Sequence, residues 1–421
     1  MTKKQKTYFI WVLGCQMNKS DAEKIEAILS NLGYLKTDSD KTADVVVVVA
    51  CSIRQTAIDR IIGKSLHYQK RRQSGELITI LTGCVLKEDK PRFNKAFDIL
   101  LPIEDMNLIP EKLSALDPTG LTDYFEVMPK RESKFQAYVP IMTGCDNFCT
   151  FCVVPYTRGR EKHRSAQSII DECQDLVNRG YKEITLLGQN VNSYVDGDYD
   201  FPKLLKRIGE IDGDFWLRFT TSNPQDFSDD LIEVMKLGGP IVPYLHFAIQ
   251  SGDDEILKRM NRRHNVKHYL GILDRARKEI PNLMISTDII VGFSGETEGQ
   301  FQNTVKLFER VCYDMAYISQ YSVRAGTPSA KLMPDNVSKT DKVRRDKELN
   351  DVLAIYAKKN NEAYIGKTVR VLVEGRKRGR LYGKTDTYKT VYFENDKNLT
   401  GEFVNTDITA ADSWSLSGKI V

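Results

Sequence analysis

Residues 144–159 read GCDNFCTFCVVPYTRG, with Cys145, Cys149 and Cys152 at C-x3-C-x2-C spacing inside eight residues. Thiolates this close on one loop can all point at a single soft metal centre, and no fourth cysteine follows nearby. A four-iron cluster held by three thiolates keeps one iron open to an outside ligand, which a cluster used only for electron transfer does not need. Two other readings compete. His163 would complete a Cys3His zinc site, but closed zinc sites usually use C-x2-C pairs, and His163 lies eleven residues past Cys152. The other is a chance cluster of buried cysteines, against which stand the polar Asp146, Asn147 and Thr150 between them.

The whole chain, 421 residues, is long enough for two or three domains with sizeable cores. Apolar residues make up 41% and charged residues 28%, as in an ordinary globular protein. A net charge of +4 creates no global field for a polyanion, so any nucleic-acid site must come from local clustering. Eight cysteines are few for a disulfide scaffold and sit mostly in motifs, which predicts metal-bound thiolates in a reducing cytoplasm. The opening MTKKQKTYFI has charge but no long apolar stretch, so no signal peptide is expected. The longest apolar run, Val45 to Cys51, is far short of a membrane span.

Outward from the loop, the first 110 or so residues repeat one theme: apolar strand, Gly- or Ala-Cys step, helix. Strands are expected at Tyr8–Leu13, Val45–Val49 and Leu77–Leu81, followed by Cys15, Cys51 and Cys84. A capping box Ser20-x-x-Glu23 predicts the first helix start, with apolar Ile25, Ile28, Leu29 and Leu32 and a stop at Gly33. Cys51 is expected to open a second helix through Ile53, Ala57 and Ile61. If the strands are parallel, the three cysteines, 36 and 33 residues apart, converge at one sheet edge, where open α/β sheets bind ligands. Small buried residues capping strands are the plainer reading for one such cysteine. Three at equivalent positions favour a metal.

Residues 111–135 have weak periodicity and read as linker. Strands are then expected at 137–142, 183–188, 216–221, 243–249, 284–291 and 315–323, with helices between, the clearest from Ser165 to Asn178. Six β/α repeats predict a partly open parallel barrel whose chemistry sits at the carboxyl ends of the strands. Polar turns there, around Gln189 and Asn190, Gln250 and Ser251, and Gly292 to Glu296, permit close backbone approach to a ligand. Each alone is weak, since Glu296 equally suits the first turn of a helix. Cys173 and Cys312 fall on amphipathic stripes and read as core.

Asp341 to Tyr364 reads as a charged helical connector, and the last 55 or so residues as a small antiparallel barrel. From Gly366 to Val421 ten Lys/Arg face seven Asp/Glu. Four of those cations, Arg376, Lys377, Arg378 and Arg380, share one hairpin, with Tyr382, Tyr388 and Tyr392 close by. Cations with aromatics on a small barrel suit RNA, while a solvated turn is the commoner fate of a basic run.

The cysteine loop, with Phe151 as the aromatic before the third cysteine, resembles the signature of radical S-adenosylmethionine (SAM) enzymes. VVPYTRGRE is similar to the methylthiotransferase branch of them. GCQMNKSDAE, CSIRQTA and GCV are similar to that branch's three auxiliary-cluster motifs, and the C-terminal segment resembles a TRAM domain, an RNA-binding module. The resemblance implies three domains: 5–118 a doubly wound auxiliary-cluster domain, 131–361 a partly open (β/α)6 radical SAM barrel, and 364–421 a TRAM-like barrel. It implies two [4Fe-4S] clusters, one on Cys15, Cys51 and Cys84 and one on the catalytic Cys145, Cys149 and Cys152. SAM would be chelated by the open iron, cleaved to a 5′-deoxyadenosyl radical, and contacted by Phe151, Gln189, Asn190, Gln250, Ser251, Gly292 and Glu296.

Implied partners are tRNA and an electron donor of flavodoxin or ferredoxin type, with no membrane. GCQMN, CSIR and CVVPYTRG look most like the branch that methylthiolates carbon 2 of isopentenylated adenosine beside the tRNA anticodon. Ala50, where that branch usually has Thr, and LKED after Cys84-Val85 depart from its pattern. Other branches act on threonylcarbamoyladenosine or on a ribosomal protein. A non-catalytic iron–sulfur RNA-binding or electron-transfer protein and a redox disulfide protein are the remaining rivals. The first predicts no SAM cleavage and the second activity without iron.

Overall fold

The β-branched run Val45–Cys51 is the middle of the first sheet, and its alternation explains the layers around it. Val45, Val47 and Val49 enter one buried core with Ile25, Ile28 and Leu29. Val46, Val48 and Ala50 enter another with Ile58, Ile61 and Phe93. A strand covered on both faces needs no polar alternation. The computed structural model describes residues 5–51, 55–113 and 124–421. It forms two compact units: Met1–Glu132 with Met142–Arg164 and Ser322–Leu332, and Ser133–Ile141 with Ser165–Tyr321 and Met333–Val421.

The first unit carries β1 (Thr7–Val12), α1 (Gln16–Asn31), β2 (Leu35–Lys36), β3 (Val45–Cys51), α2 (Gln55–Gln73), β4 (Ile78–Cys84), α3 (Lys90–Ala96) and β5 (Ile99–Leu100). The strands form a parallel sheet in the order β2-β1-β3-β4-β5, with Cys51 paired to Cys84 at its carboxyl edge. Three expectations change here. Helix α1 starts at Gln16 with Cys15 as its N-cap, so Ser20 lies inside it, buried, rather than capping it. Cys51 ends β3 and α2 opens at Gln55; Ile53 is outside the described residues. Of the expected linker, residues 114–123 are likewise outside, while Tyr124 and Val127 belong to the core with Tyr8 and Val47.

In the second unit β6 (Gln136–Pro140), α4 (Ala166–Asn178), β7 (Glu183–Leu187), α5 (Phe201–Gly209), β8 (Trp216–Phe219), α6 (Asp229–Lys236) and β9 (Tyr244–His246) alternate. After α7 (Asp254–Arg259) and α8 (Val266–Glu279) come β10 (Met284–Val291), α9 (Glu298–Val311) and β11 (Met315–Gln320). Two parallel three-stranded sheets, β6-β7-β8 and β9-β10-β11, are joined by parallel bridges Leu217–Ile241 and Ser222–Phe247. This is the expected six-strand run. Cys173 is fully buried on α4 as expected, but Cys312 is not core. It caps α9 in the left-handed conformation, φ 55°, and lines an open groove of about 610 Å³.

Helix α10 (Lys339–Glu362), capped by Ser338, leads to a closed barrel of β12 (Thr368–Lys377), β13 (Arg380–Thr385), β14 (Thr390–Phe393), β15 (Phe403–Ala411) and β16 (Leu416–Ile420). All its pairs are antiparallel except β14 with β16. The small barrel plugs the amino-terminal end of the six strands. Fully buried Arg218 on β8 pairs with Glu183 at 2.5 Å and donates to the Thr385 and Asp386 carbonyls. Tyr388 packs 5.1 Å from Tyr244 and under Arg218, so it is part of this plug and not of a base-stacking surface.

Candidate active site

At the carboxyl edge of the first sheet the backbone itself gathers the three N-terminal cysteines. Cys51 and Cys84 are neighbours across β3 and β4, and Cys15 follows the β1 end one turn away. Gly14 is required there: its φ is 130°, and a Cβ would stand 2.8 Å from the Cys51 Cβ. Asn18 ties the strand ends together. Its amide donates to the Leu13 and Ala50 carbonyls, at 2.7 and 2.8 Å, and its oxygen faces the Cys15 thiol at 3.8 Å. Although Cys15 opens to solvent, the protein crowding its sulfur raises its pKa by desolvation, with the Cys84 sulfur adding to the rise.

Behind these thiols lies a buried guanidinium from the TRGR run. Arg158 Nε stands 3.1 Å from Cys84 Sγ, and Nη2 donates to Asp21 Oδ2 at 2.6 Å and to Asn18 Oδ1 at 3.2 Å. Tyr124 completes the set with its hydroxyl on Asp21 Oδ1 at 2.7 Å. Burial opposes the charge on Arg158, and Asp21, Cys84 and Tyr124 more than offset it, so the side chain stays a cation. Nη1 is buried with no acceptor. Asn18, Asp21, Arg158 and Tyr124 were not singled out from the sequence. The spacing of Asn18 and Asp21, one helical turn apart just after Cys15, was the available signal.

The Cys145–Cys152 loop, in the same unit, is pinned at both ends. Cys145 N–H donates to the Gly159 carbonyl at 3.2 Å and Cys152 N–H to the Cys149 carbonyl at 2.9 Å. A Cβ on Gly144, φ 82°, would collide with the Arg160 carbonyl, so glycine is needed where Met142–Thr143 pairs antiparallel with Lys162–His163. Asp146 pairs with Arg160 at 2.7 Å, and Arg160 lies over Phe148 at 5.3 Å. Burial pushes the Cys145 thiol up to about 11, Cys149 and Glu161 adding to it.

Among the described residues no group of three or more His, Cys, Asp or Glu side chains stands in metal-holding geometry. The donor chemistry nonetheless fits iron–sulfur centres. Thiols are the ligands such clusters require, and the unspent Arg158 Nη1 suits an anionic group beside Cys84.

In the second unit the polar strand ends fit a polar ligand. Gln189 Oε1, Asn190 Oδ1 and Ser294 Oγ are buried with no partner, although Asn190 also donates to Asp226 at 2.7 Å. Gln250 holds φ 79° at the end of its strand segment. Ser251 is buried and accepts from Asp253 N–H at 3.2 Å. Glu296 is spent within the protein: Oε2 accepts from Gly292 N–H at 2.6 Å and from Arg345 at 2.8 Å.

Family models match in chain order: the one described as "Uncharacterized protein family UPF0004" over residues 7–101, the radical SAM superfamily over 139–308, and the TRAM domain over 362–421. The tRNA-2-methylthio-N(6)-dimethylallyladenosine synthase of Clostridium novyi (strain NT) is 41% identical, across 99% of this chain and 97% of that protein. This chain belongs to that synthase family. The Thermoanaerobacter sp. (strain X514) synthase is 40% identical over 98% of this chain and 92% of its own length. Among solved structures the radical SAM methyltransferase TsrM from Kitasatospora setae, with cobalamin and a [4Fe-4S] cluster bound, is similar with TM-score 0.57 at 11% identity. The match covers 77% of each chain and carries the fold alone. Radical SAM membership brings a [4Fe-4S] cluster and SAM as cofactors, and the chain is a transferase. Among the described residues no helix is long and apolar enough to cross a membrane.

Proposed function

We propose that the chain converts the C2–H of N(6)-isopentenyladenosine, beside the anticodon of tRNA, into C2–S–CH3. The observation that carries this reading is identity near 40% along almost the full chain to synthases named for that product. Three cysteines at one edge of the N-terminal sheet support a second cluster, on Cys15, Cys51 and Cys84, as the sulfur source, beside a first on Cys145, Cys149 and Cys152. When bound, the first cluster and SAM supply a carbon radical strong enough to remove hydrogen from an unactivated C–H. A second SAM would supply the methyl group. Phe151, Gln189, Asn190, Gln250, Ser251 and Gly292 would bind SAM, and Glu296 would act by fixing the Gly292 turn.

The three domains would be 5–118, 131–361 and 364–421, the last holding RNA through Arg376, Lys377, Arg378 and Arg380. The reductant would be a small flavodoxin- or ferredoxin-type protein in the cytoplasm.

The test is nucleoside mass spectrometry after anaerobic reaction of the reconstituted protein with SAM, reductant and isopentenylated tRNA. Wild type should give the 2-methylthio nucleoside. Cys51→Ala should still form 5′-deoxyadenosine but no methylthio product, and Cys149→Ala neither. Methylthiolated RNA from Cys51→Ala would exclude the N-terminal triple as sulfur source. Wild-type product on threonylcarbamoyladenosine alone would move the substrate to the sister branch.

A further inference from the structure

One face of β9, β10 and β11 carries a connected polar and aromatic group that neither cysteine triple nor the strand-end turns use. Register puts His246 opposite Ser286 and Asp288 opposite Tyr317, so these side chains and Tyr244 share one face of the three strands. The other face, with Leu245, Ile285 and Ile289, is fully buried.

On the shared face the hydrogen bonds run in a chain. Tyr244 Oη lies 2.8 Å from Ser286 Oγ, Ser286 Oγ 2.9 Å from His246 Nδ1, and His246 Nε2 3.3 Å from Asp288 Oδ2. With a neutral imidazole one proton order satisfies all of it: hydroxyl to hydroxyl to Nδ1, with Nε2–H on the carboxylate. What is left over is an acceptor oxygen of Asp288, whose side chain is 40% exposed. Beside it Tyr317, 47% exposed, tilts against the His246 ring at 5.9 Å. Tyr317, on the edge strand β11, therefore leaves an aromatic face open beside a carboxylate with an unspent acceptor, the pair of features that a flat, hydrogen-bonding ligand needs.

Resting on the function proposed above, we infer that this face holds the target base, with Tyr317 as its stacking platform and Asp288 as acceptor for the N6–H. An N6-alkylated adenine keeps one N–H at N6, its only ring-edge donor, and acceptors at N1, N3 and N7. It therefore needs one acceptor and one π-face, which is what this face leaves unspent. C2 is separated from C6 by N1, so an acceptor bound to N6–H occupies neither C2 nor its hydrogen and leaves C2–H open for reaction. A base turned out of its RNA stack regains stacking on an aromatic side chain.

The test uses the full chain with both cluster sites reconstituted and an anticodon stem-loop RNA carrying N(6)-isopentenyladenosine. Tyr317→Leu should raise KM for the RNA about tenfold, the order expected for one lost base–aromatic stack, and Tyr317→Phe should recover most of it. Asp288→Asn should also raise KM, since its single remaining acceptor oxygen would stay on His246 Nε2–H and its NH2 would face N6–H. An unchanged KM in Tyr317→Leu overturns the assignment. RNA-free formation of 5′-deoxyadenosine falling in parallel with methylthiolation would overturn it in favour of a SAM contact.

A second arm does not depend on turnover. A stem-loop with 2-aminopurine at the target position should lose fluorescence on binding wild type as the base stacks, and lose less with Tyr317→Leu. Equal quenching in both proteins sinks the site. Absence of methylthio product from wild type, with Tyr317-dependent quenching intact, would instead overturn the functional reading and leave the base site standing.

Discussion

Arg158 and Asp21 form a buried pair, with side chains 2% and 0% exposed, and the cysteine edge depends on it. Removing one partner of such a pair leaves the other charged, desolvated and uncompensated, a loss of about 3–5 kcal/mol. Arg158→Met is therefore expected to lower unfolding free energy by about 3 kcal/mol in urea titrations. Asp21→Asn combined with it should recover part of the loss, because the stranded carboxylate is gone. The same guanidinium lies 3.1 Å from Cys84 Sγ, and hydrogen bonds to ligand sulfurs raise cluster potentials. If Cys15, Cys51 and Cys84 hold a cluster as proposed, Arg158→Lys should shift that cluster's midpoint to more negative values in EPR-monitored redox titration and leave the other unmoved. A variant with full stability and both midpoints unchanged would reduce Arg158 to packing.

At the scale of elements, the turn between α7 and α8 holds His264 buried, with neither ring nitrogen partnered. Burial lowers its pKa to about 3, with Arg262 and His268 adding to the fall. The unfolded chain titrates near 6.5, so between roughly pH 6.5 and 3 the unfolded state binds the extra proton. Stability thus rises with pH across that window, by up to about 1.4 kcal/mol per unit from this group, and is lost on acidification. Urea titrations from pH 7 down to 4 should steepen accordingly, and His264→Phe should flatten them; identical slopes would count against the assignment.

Elements like these were only partly legible in the chain. The β-branched run of β3 and the stripe of α4 depend on local pattern and came out where expected. The Ser20 box did not cap α1, because tertiary contacts of Asn18 and Asp21 draw the helix back to Cys15. Cys312 keeps helical spacing from Val305 and Phe308, yet the helix has already ended there in a left-handed turn. Periodicity cannot report a φ angle. Arg158 is illegible in the sequence for a related reason: its partners lie more than 70 residues away.

Over the whole chain the three family matches follow sequence order, whereas compactness groups Met142–Arg164 and Ser322–Leu332 with the N-terminal sheet. Contacts of that kind, such as Arg324 with Gln55 at 2.7 Å and Asp89 at 3.0 Å, leave no trace in composition. Charge is more legible. The basic run folds into the predicted hairpin, Lys377 opposite Arg380, through a two-residue turn with φ 50° at Arg378 and 83° at Gly379. Its four cations are not equivalent. Arg376 spends its guanidinium on the Gly379 and Asn395 carbonyls, both at 2.7 Å, and Arg380 reaches the Tyr392 carbonyl and Ser417 hydroxyl at 3.3 Å. Lys377 and Arg378 are exposed on the turn itself. If this hairpin meets RNA phosphates, Lys377→Ser with Arg378→Ser should weaken tRNA binding and flatten the slope of log affinity against log salt by about 1 to 2. Thermal stability should stay put, since neither side chain supports the fold. Arg376→Ser should behave the other way, lowering the barrel's Tm through the lost carbonyl bonds while changing the salt slope less. Anisotropy titrations with tRNA at several KCl concentrations separate the two. An unchanged slope in the double variant would return the basic run to a solvated turn and move the RNA contact elsewhere on the chain.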